Sequence, residues 1–268
     1  MSIYFCFHRI LTQLTLLKLT VMKARKNSAI GIFMVMNVSF MILSLNGCTK
    51  ETAVATPAAD SQYKDAILNY STADTLLTGC LSCVDSLPFE SLNESESEAL
   101  VIMREEELLA HDVYFTISQL YTKPIFRNIT RSEQRHTEAI KALLSKYSLV
   151  DPALNHVTGI FMNQDLQTLY NSLVTLGSGS LINALTVGAT IEDLDIKDLE
   201  EHLLTIDNQD ITCVFNNLMR GSRNHLRSFY ANIIFTGGTY VPQYLTQTEF
   251  DEIVNSAYET GNGNCHCN

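Results

Sequence analysis

The chain predicts an all-α fold: four long amphipathic helices in two antiparallel hairpins joined by one long crossover, plus short accessory helices. Three observations carry this expectation. From Asn93 onward, apolar residues recur with a period near 3.6 rather than 2. Helix-stopping residues separate the periodic stretches: Pro124, Asp151-Pro152, Gly177-Ser178-Gly179, Asp207-Asn208 and Gly237-Gly238. Five prolines and no tryptophan in 268 residues suit a helical chain better than a loop-rich or all-β one.

The first long helix is expected over 94–122, with the stripe Leu100, Met103, Glu107, Ala110, Tyr114, Ile117 and Tyr121. Pro124 blocks its continuation, so Lys123 to Asn128 reads as a turn. The second runs over 131–148 and carries Glu133, His136, Ile140, Leu143, Leu144 and Tyr147. A shorter helix over 164–176 occupies the connection that follows. The third covers 180–205 with Leu181, Leu185, Ala189, Glu192, Asp195, Ile196, Leu199 and Leu203. The fourth covers 209–235 with Ile211, Val214, Leu218, Ser222, His225, Phe229 and Ile233. A last amphipathic helix over 246–259 carries Phe250, Ile253 and Tyr258. Short turns within each pair and a long link between the pairs define the two-hairpin arrangement of a ferritin-like bundle.

Ahead of these helices the composition changes. Residues 1–47 hold Arg9, Lys18, Lys23, Arg25 and Lys26 and no acidic residue. The remaining 13 basic and 29 acidic residues give the rest of the chain a formal charge of −16, against −11 overall. Such acidity argues against a nucleic-acid binder, which needs clustered Lys and Arg to neutralise phosphates. With 46% hydrophobic residues a real core is available.

Met22 to Lys26 is basic, Ile30 to Leu45 is apolar, and Leu45-Asn46-Gly47-Cys48 follows. That order describes a secretory leader, and the tetrapeptide resembles a bacterial lipobox with Cys48 as the lipidated residue. Met22 is then the expected true start. A retained membrane anchor is the competing reading, but the run is short for a span and leaves the terminal cysteine unexplained. The expected organisation is a leader over 1–47, and a tether with a short helix near Ala66 to Leu68 over 48–92. A helical domain over 93–240 and a tail over 241–268 complete it. The mature protein would be exported and held to the bacterial cell envelope, on its periplasmic or surface face, by lipid on Cys48. The lipid bilayer is the one partner this implies; self-association is left open.

Each of the four stripes carries a metal-capable side chain where an apolar residue belongs. They are Glu107 on the first helix, Glu133 and His136 on the second, Glu192 and Asp195 on the third, and His225 on the fourth. A lone buried carboxylate costs several kcal/mol, at roughly 3–5, unless paired or coordinated. Converging carboxylates and imidazoles suit iron, manganese or zinc. Glu133-x-x-His136 places both side chains on one helical face, the element used by di-iron carboxylate bundles. A competing reading treats Thr130-Arg131-Ser132-Glu133 as a capping box at the helix start.

Four ordered blocks resemble the prokaryotic domain-of-unknown-function family 2202. They are Arg104-Glu105-Glu106-Glu107; Asn128-Ile129 with Ser132-Glu133-x-x-His136; Gly188-Ala189-x-Ile191-Glu192-x-x-Asp195-Ile196; and Gly221-Ser222-x-Asn224-His225-Leu226. The resemblance covers residues 93–235 and implies a ferritin-like four-helix bundle. Glu107, seven residues before Tyr114, resembles the first-helix ligand segment of ferritins. Glu106 is the fallback and Glu105 is expected at the surface. A second Glu-x-x-His would need a carboxylate at 222, where Ser222 stands; Asp195, one turn beyond Glu192, is the candidate to supply it. The expected ligands are therefore Glu107, Glu133, His136, Glu192, Asp195 and His225, holding one or two ions of iron, manganese or zinc. Tyr114, Ser222 and Asn224 are the candidates to support them, with a core tyrosine the competing reading of Tyr114 and a bond to a backbone carbonyl that of Asn224.

Among seven cysteines, Cys213 is expected as a buried core thiol. Cys80, Cys83, Cys265 and Cys267 read as disulfide staples or as an accessory metal site with His266. Two functional expectations follow. One is a di-metal oxidoreductase of oxidase, ferroxidase or peroxide-scavenging type. The other is a non-catalytic structural or metal-sequestering helical module.

Overall fold

A computed structural model describes residue 84 and residues 86–260 of the chain. The leader, Cys48, the tether helix, and Cys6, Cys80, Cys83, Cys265 and Cys267 lie outside the described residues. Among those described, the structure is all-α, with six helices and no strand. They are α1 (Glu94–Ser118), α2 (Pro124–Lys146), α3 (Gln164–Gly177), α4 (Leu181–Leu203), α5 (Gln209–Phe235) and α6 (Gln247–Asn255). None of them is long and apolar enough to cross a membrane.

The helices begin where local chemistry allows. Asn93 caps α1 in a box with Glu96, each side chain accepting the other's backbone N–H. Asn163 and Ser180 cap α3 and α4 through side-chain oxygens, and Thr246 and Glu249 form a second box on α6. The largest departure from the sequence expectation is the start of α2. Pro124 does not end a turn; it opens the helix, seven residues before the expected boundary. Proline is tolerated there because the first helical N–H has no partner to lose. Thr130 is consequently inside α2, with its hydroxyl donating to Phe126 O at 2.8 Å. The capping-box alternative for Glu133 fails with it. At the other end of the chain, α6 stops at Asn255 rather than 259.

Helix α2 runs back along α1, and α5 runs back along α4. The pairs meet through α2 with α5 and α1 with α4, while α3 lies against α1 and α4. The apolar core falls on both sides of a polar middle. One side joins Leu100, Met103, Ile140, Leu143, Leu144, Leu199, Val214, Phe215 and Leu218. The other side buries Tyr114, Ile117, Phe126, Ile129, Phe229 and Ile233. Fully burying each such side chain stabilises the fold by about 1.5–3 kcal/mol.

Buried polar groups outside that middle are clips. Glu96 accepts the backbone N–H groups of Asp207 and Asn208 at 3.2 and 3.1 Å, tying the start of α1 to the α4–α5 turn. Arg104 reaches Asp151 with two nitrogens, at 3.0 and 3.2 Å. Asp193 accepts from the Tyr240 hydroxyl and the backbone of Gln243, Tyr244 and Leu245, docking the segment after α5. Cys213 is buried as expected, but it is disulfide-bonded rather than a free thiol.

Candidate metal centre

The polar middle is built by one or two residues from each long helix. Glu107 comes from the centre of α1, Glu133 and His136 from α2, Glu192 from α4 and His225 from α5. All five are buried. The i,i+3 spacing on α2 puts Glu133 and His136 side by side, with Glu133 Oε2 2.9 Å from His136 Nδ1. Glu107 Oε2 approaches the same nitrogen at 3.1 Å. The other oxygen of Glu133 lies 2.9 Å from His225 Nδ1, which Glu192 Oε2 approaches at 3.3 Å.

Two groups result, Glu107–Glu133–His136 and Glu133–Glu192–His225, each with ligand-capable atoms within 4.8 Å of one another. Glu133 belongs to both. The two imidazoles stack, with ring centroids 5.5 Å apart. Tyr114, fully buried on α1, donates to Glu192 Oε1 at 2.6 Å and fixes that carboxylate from behind.

Asp195 stands next to these groups rather than in either of them. Ser222, at the position where a second Glu-x-x-His would place its carboxylate, donates its hydroxyl to Asp195 Oδ2. The serine on α5 thus holds a carboxylate that α4 supplies. Asn224 does not support His225. Its side chain grips the backbone of Glu259 through both amide atoms and accepts from Arg227. Arg223 and Arg227 bind the Glu259 carboxylate, so this face of α5 fastens the C-terminal segment. Among the three consecutive glutamates of α1, Glu107 faces the centre, and Glu105 is half-buried rather than fully exposed.

The charges are strongly coupled. Burial opposes both imidazolium ions, but the surrounding carboxylates win. His225 is raised to about 9, with Glu192 and Glu133 facing it. His136 is raised well above its ordinary value by Glu107 and Glu133. Burial would raise Glu133, yet the two histidines hold it well below the usual carboxylate range. Glu107 goes the other way, raised mainly by burial despite His136. Burial and the neighbouring Glu192 lift Asp195 to about 7. Two carboxylates and one imidazole per group form a donor set suited to iron, manganese or zinc.

A second buried carboxylate with two histidines was not legible in the sequence. Asp112 on α1 lies 2.9 Å from His111 Nδ1 and 2.7 Å from His156 Nε2, and it accepts the Gly159 N–H. His156 lies in the crossover, 44 residues away, and no local spacing signals the pairing. This cluster pins the crossover against α1.

The fold and the centre define a helical protein with a buried glutamate/histidine cluster shared among four helices. The chain belongs to the uncharacterized protein domain family DUF2202, whose model matches residues 96–257. It is 48% identical over 181 residues to the uncharacterized protein MJ0754 of Methanocaldococcus jannaschii, covering 68% of this chain and 98% of that protein. The crystal structure of hypothetical protein MJ0754 from Methanococcus jannaschii is similar, with a TM-score of 0.63 at 48% identity. That match covers 65% of this chain and 99% of the other.

Proposed function

We propose that this chain is an envelope-anchored, ferritin-like lipoprotein whose four long helices form a bundle around a carboxylate/histidine centre for two metal ions. The observation that carries this reading is Glu133, which turns one oxygen to His136 and the other to His225. A carboxylate so divided suits a bridge between two cations. Glu107 and His136 would complete one site, and Glu192 and His225 the other. A second support is Glu107 Oε1, buried without a hydrogen-bond partner, a cost that a cation would offset.

Iron or manganese bound there would supply redox chemistry toward dioxygen or peroxide, of oxidase, ferroxidase or peroxide-scavenging type. The chain's own contribution is positioning and exclusion. Tyr114 orients Glu192, Ser222 orients Asp195, and the apolar layers on either side keep bulk water away. Export and lipidation at Cys48 rest on the leader pattern, and the disulfide at Cys213 suits an oxidising compartment. The second reading is a non-catalytic module in which the centre works without metal. Both histidines already face carboxylates, and that observation favours it.

Elemental analysis after chelation and iron loading separates the two. The first reading expects two ions per chain and a metal-dependent rise in thermal stability, about 4 kcal/mol when free metal is a thousandfold above Kd. Glu133→Gln removes the shared ligand and should abolish that rise entirely, whereas Glu107→Gln should remove only one ion. Less than one ion per chain with unchanged stability rejects the metal centre. Intact-mass analysis tests the anchor: a mature chain that still begins before Cys48 rejects lipidation there.

A further inference from the structure

Gly221 lies inside α5, where neither a turn nor a positive φ calls for glycine. A helix interior disfavours glycine relative to alanine, so its presence needs a reason. The reason is steric. A Cβ at 221 would stand 2.7 Å from Nε2 and 2.8 Å from Cε1 of His136. Both distances are shorter than side-chain carbons tolerate. Nor can the imidazole retreat freely. Its Nδ1, next to Cε1 in the ring, is held by Glu107 Oε2 at 3.1 Å and Glu133 Oε2 at 2.9 Å, and its face lies on the His225 ring.

We propose that Gly221 is a positioning residue for one half of the metal centre: its missing side chain is the space that lets His136 present Nδ1 to Glu107 and Glu133. The role rests on the two-ion reading above and sharpens it, because it divides the halves. The Glu133–Glu192–His225 half makes no use of that space. An alanine at 221 displaces the His136 ring and misaligns its ligand nitrogen, while His225 keeps its place on the same helix.

Cobalt(II) titration of the full chain tests the division. The parent takes up two ions. Gly221→Ala keeps one at parental affinity and binds the other about 10–100-fold more weakly, the usual effect of disturbing a ligand's support. His136→Ala gives the same one-ion pattern. Two ions at parental affinity in Gly221→Ala overturn the proposal. A thermal cycle in chelator reads the same contact without metal. Gly221→Ala lowers Tm beside His136 but raises it in a His136→Ala background, where the ring is gone and only helix propensity remains. The same sign in both backgrounds overturns the steric argument. A parent that binds no cobalt overturns the metal-centre reading and the role toward the ion, and the sign reversal then carries the seating of His136 by itself.

Discussion

Raising the pH on the metal-free protein should weaken it across a window that the buried histidines define. Burial acts to lower the His225 pKa, but Glu192 and Glu133 raise it to about 9, against an ordinary value near 6.5. A group whose folded pKa exceeds its unfolded one contributes its full stability below the unfolded value. That contribution is lost as the pH rises through the folded value. For His225 the window therefore opens near 6.5 and closes near 9. At 1.36 kcal/mol per unit, the loss is about 3 kcal/mol. His136 is raised by its own carboxylates and acts in the same direction. Asp195, lifted to about 7, loses its contribution earlier, between the ordinary carboxylate range and neutrality. Urea denaturation in excess chelator at several pH values from 6 to 9.5 measures the effect, and His225→Gln should flatten much of it. Metal-loaded protein should show the reverse trend, since ligation requires deprotonated imidazole and its affinity rises with pH. A metal-free stability constant to within about 1 kcal/mol across that range would refute the charge arrangement.

Two structural clips make further expectations. Asp193→Ala strips the acceptor from a buried tyrosine hydroxyl and three backbone N–H groups. It should cost about 2–4 kcal/mol and expose the segment after α5 to proteolysis, which limited digestion reads directly. Cys213→Ser removes a disulfide and should cost about 2–5 kcal/mol in chemical denaturation. Reductant should bring the parent to the same stability, and a parent unaffected by reductant refutes a structural bond.

Much of the fold was legible because its signals are local. The stripes placed α1, α3, α4 and α5 within a few residues, and the stops between them were sound. Pro124 misled because proline is equally at home ending one helix and opening the next. The seven residues of α2 before 131, about two turns, follow from that ambiguity. Glu107, Glu133, His136, Glu192 and His225 stood out as polar residues on apolar stripes, and all five meet in the core. Asn224 takes the second of its two expected roles, donating to a backbone carbonyl, but its partner Glu259 lies 35 residues away, beyond the end of α6 at Asn255, and no local spacing signals the pairing. The Asp112–His156 pair escaped for the same reason. Gly221 escaped for another: a residue that acts by leaving space has no chemistry to read, and only the position of the His136 ring reveals it.

The position of Asp195 bears on how many ions the proposed centre can hold. A dry site must stay near neutral, since uncompensated charge is costly there. Without metal, two imidazolium groups face Glu133 and Glu192, while burial favours the protonated forms of Glu107 and Asp195. That arrangement balances. Two divalent ions bring four positive charges and displace the imidazolium protons. Glu107, Glu133 and Glu192 alone would leave one positive charge unbalanced; Asp195 closes the account. Filling both sites then exchanges about four protons for two ions, with no net charge moved into the core. In a two-ion centre Ser222 would therefore do more than fill the place of an absent carboxylate. By holding Asp195, it would let α4 supply such a centre with the charge that α5 lacks. The single Glu-x-x-His of this chain is thus compatible with two ions rather than one.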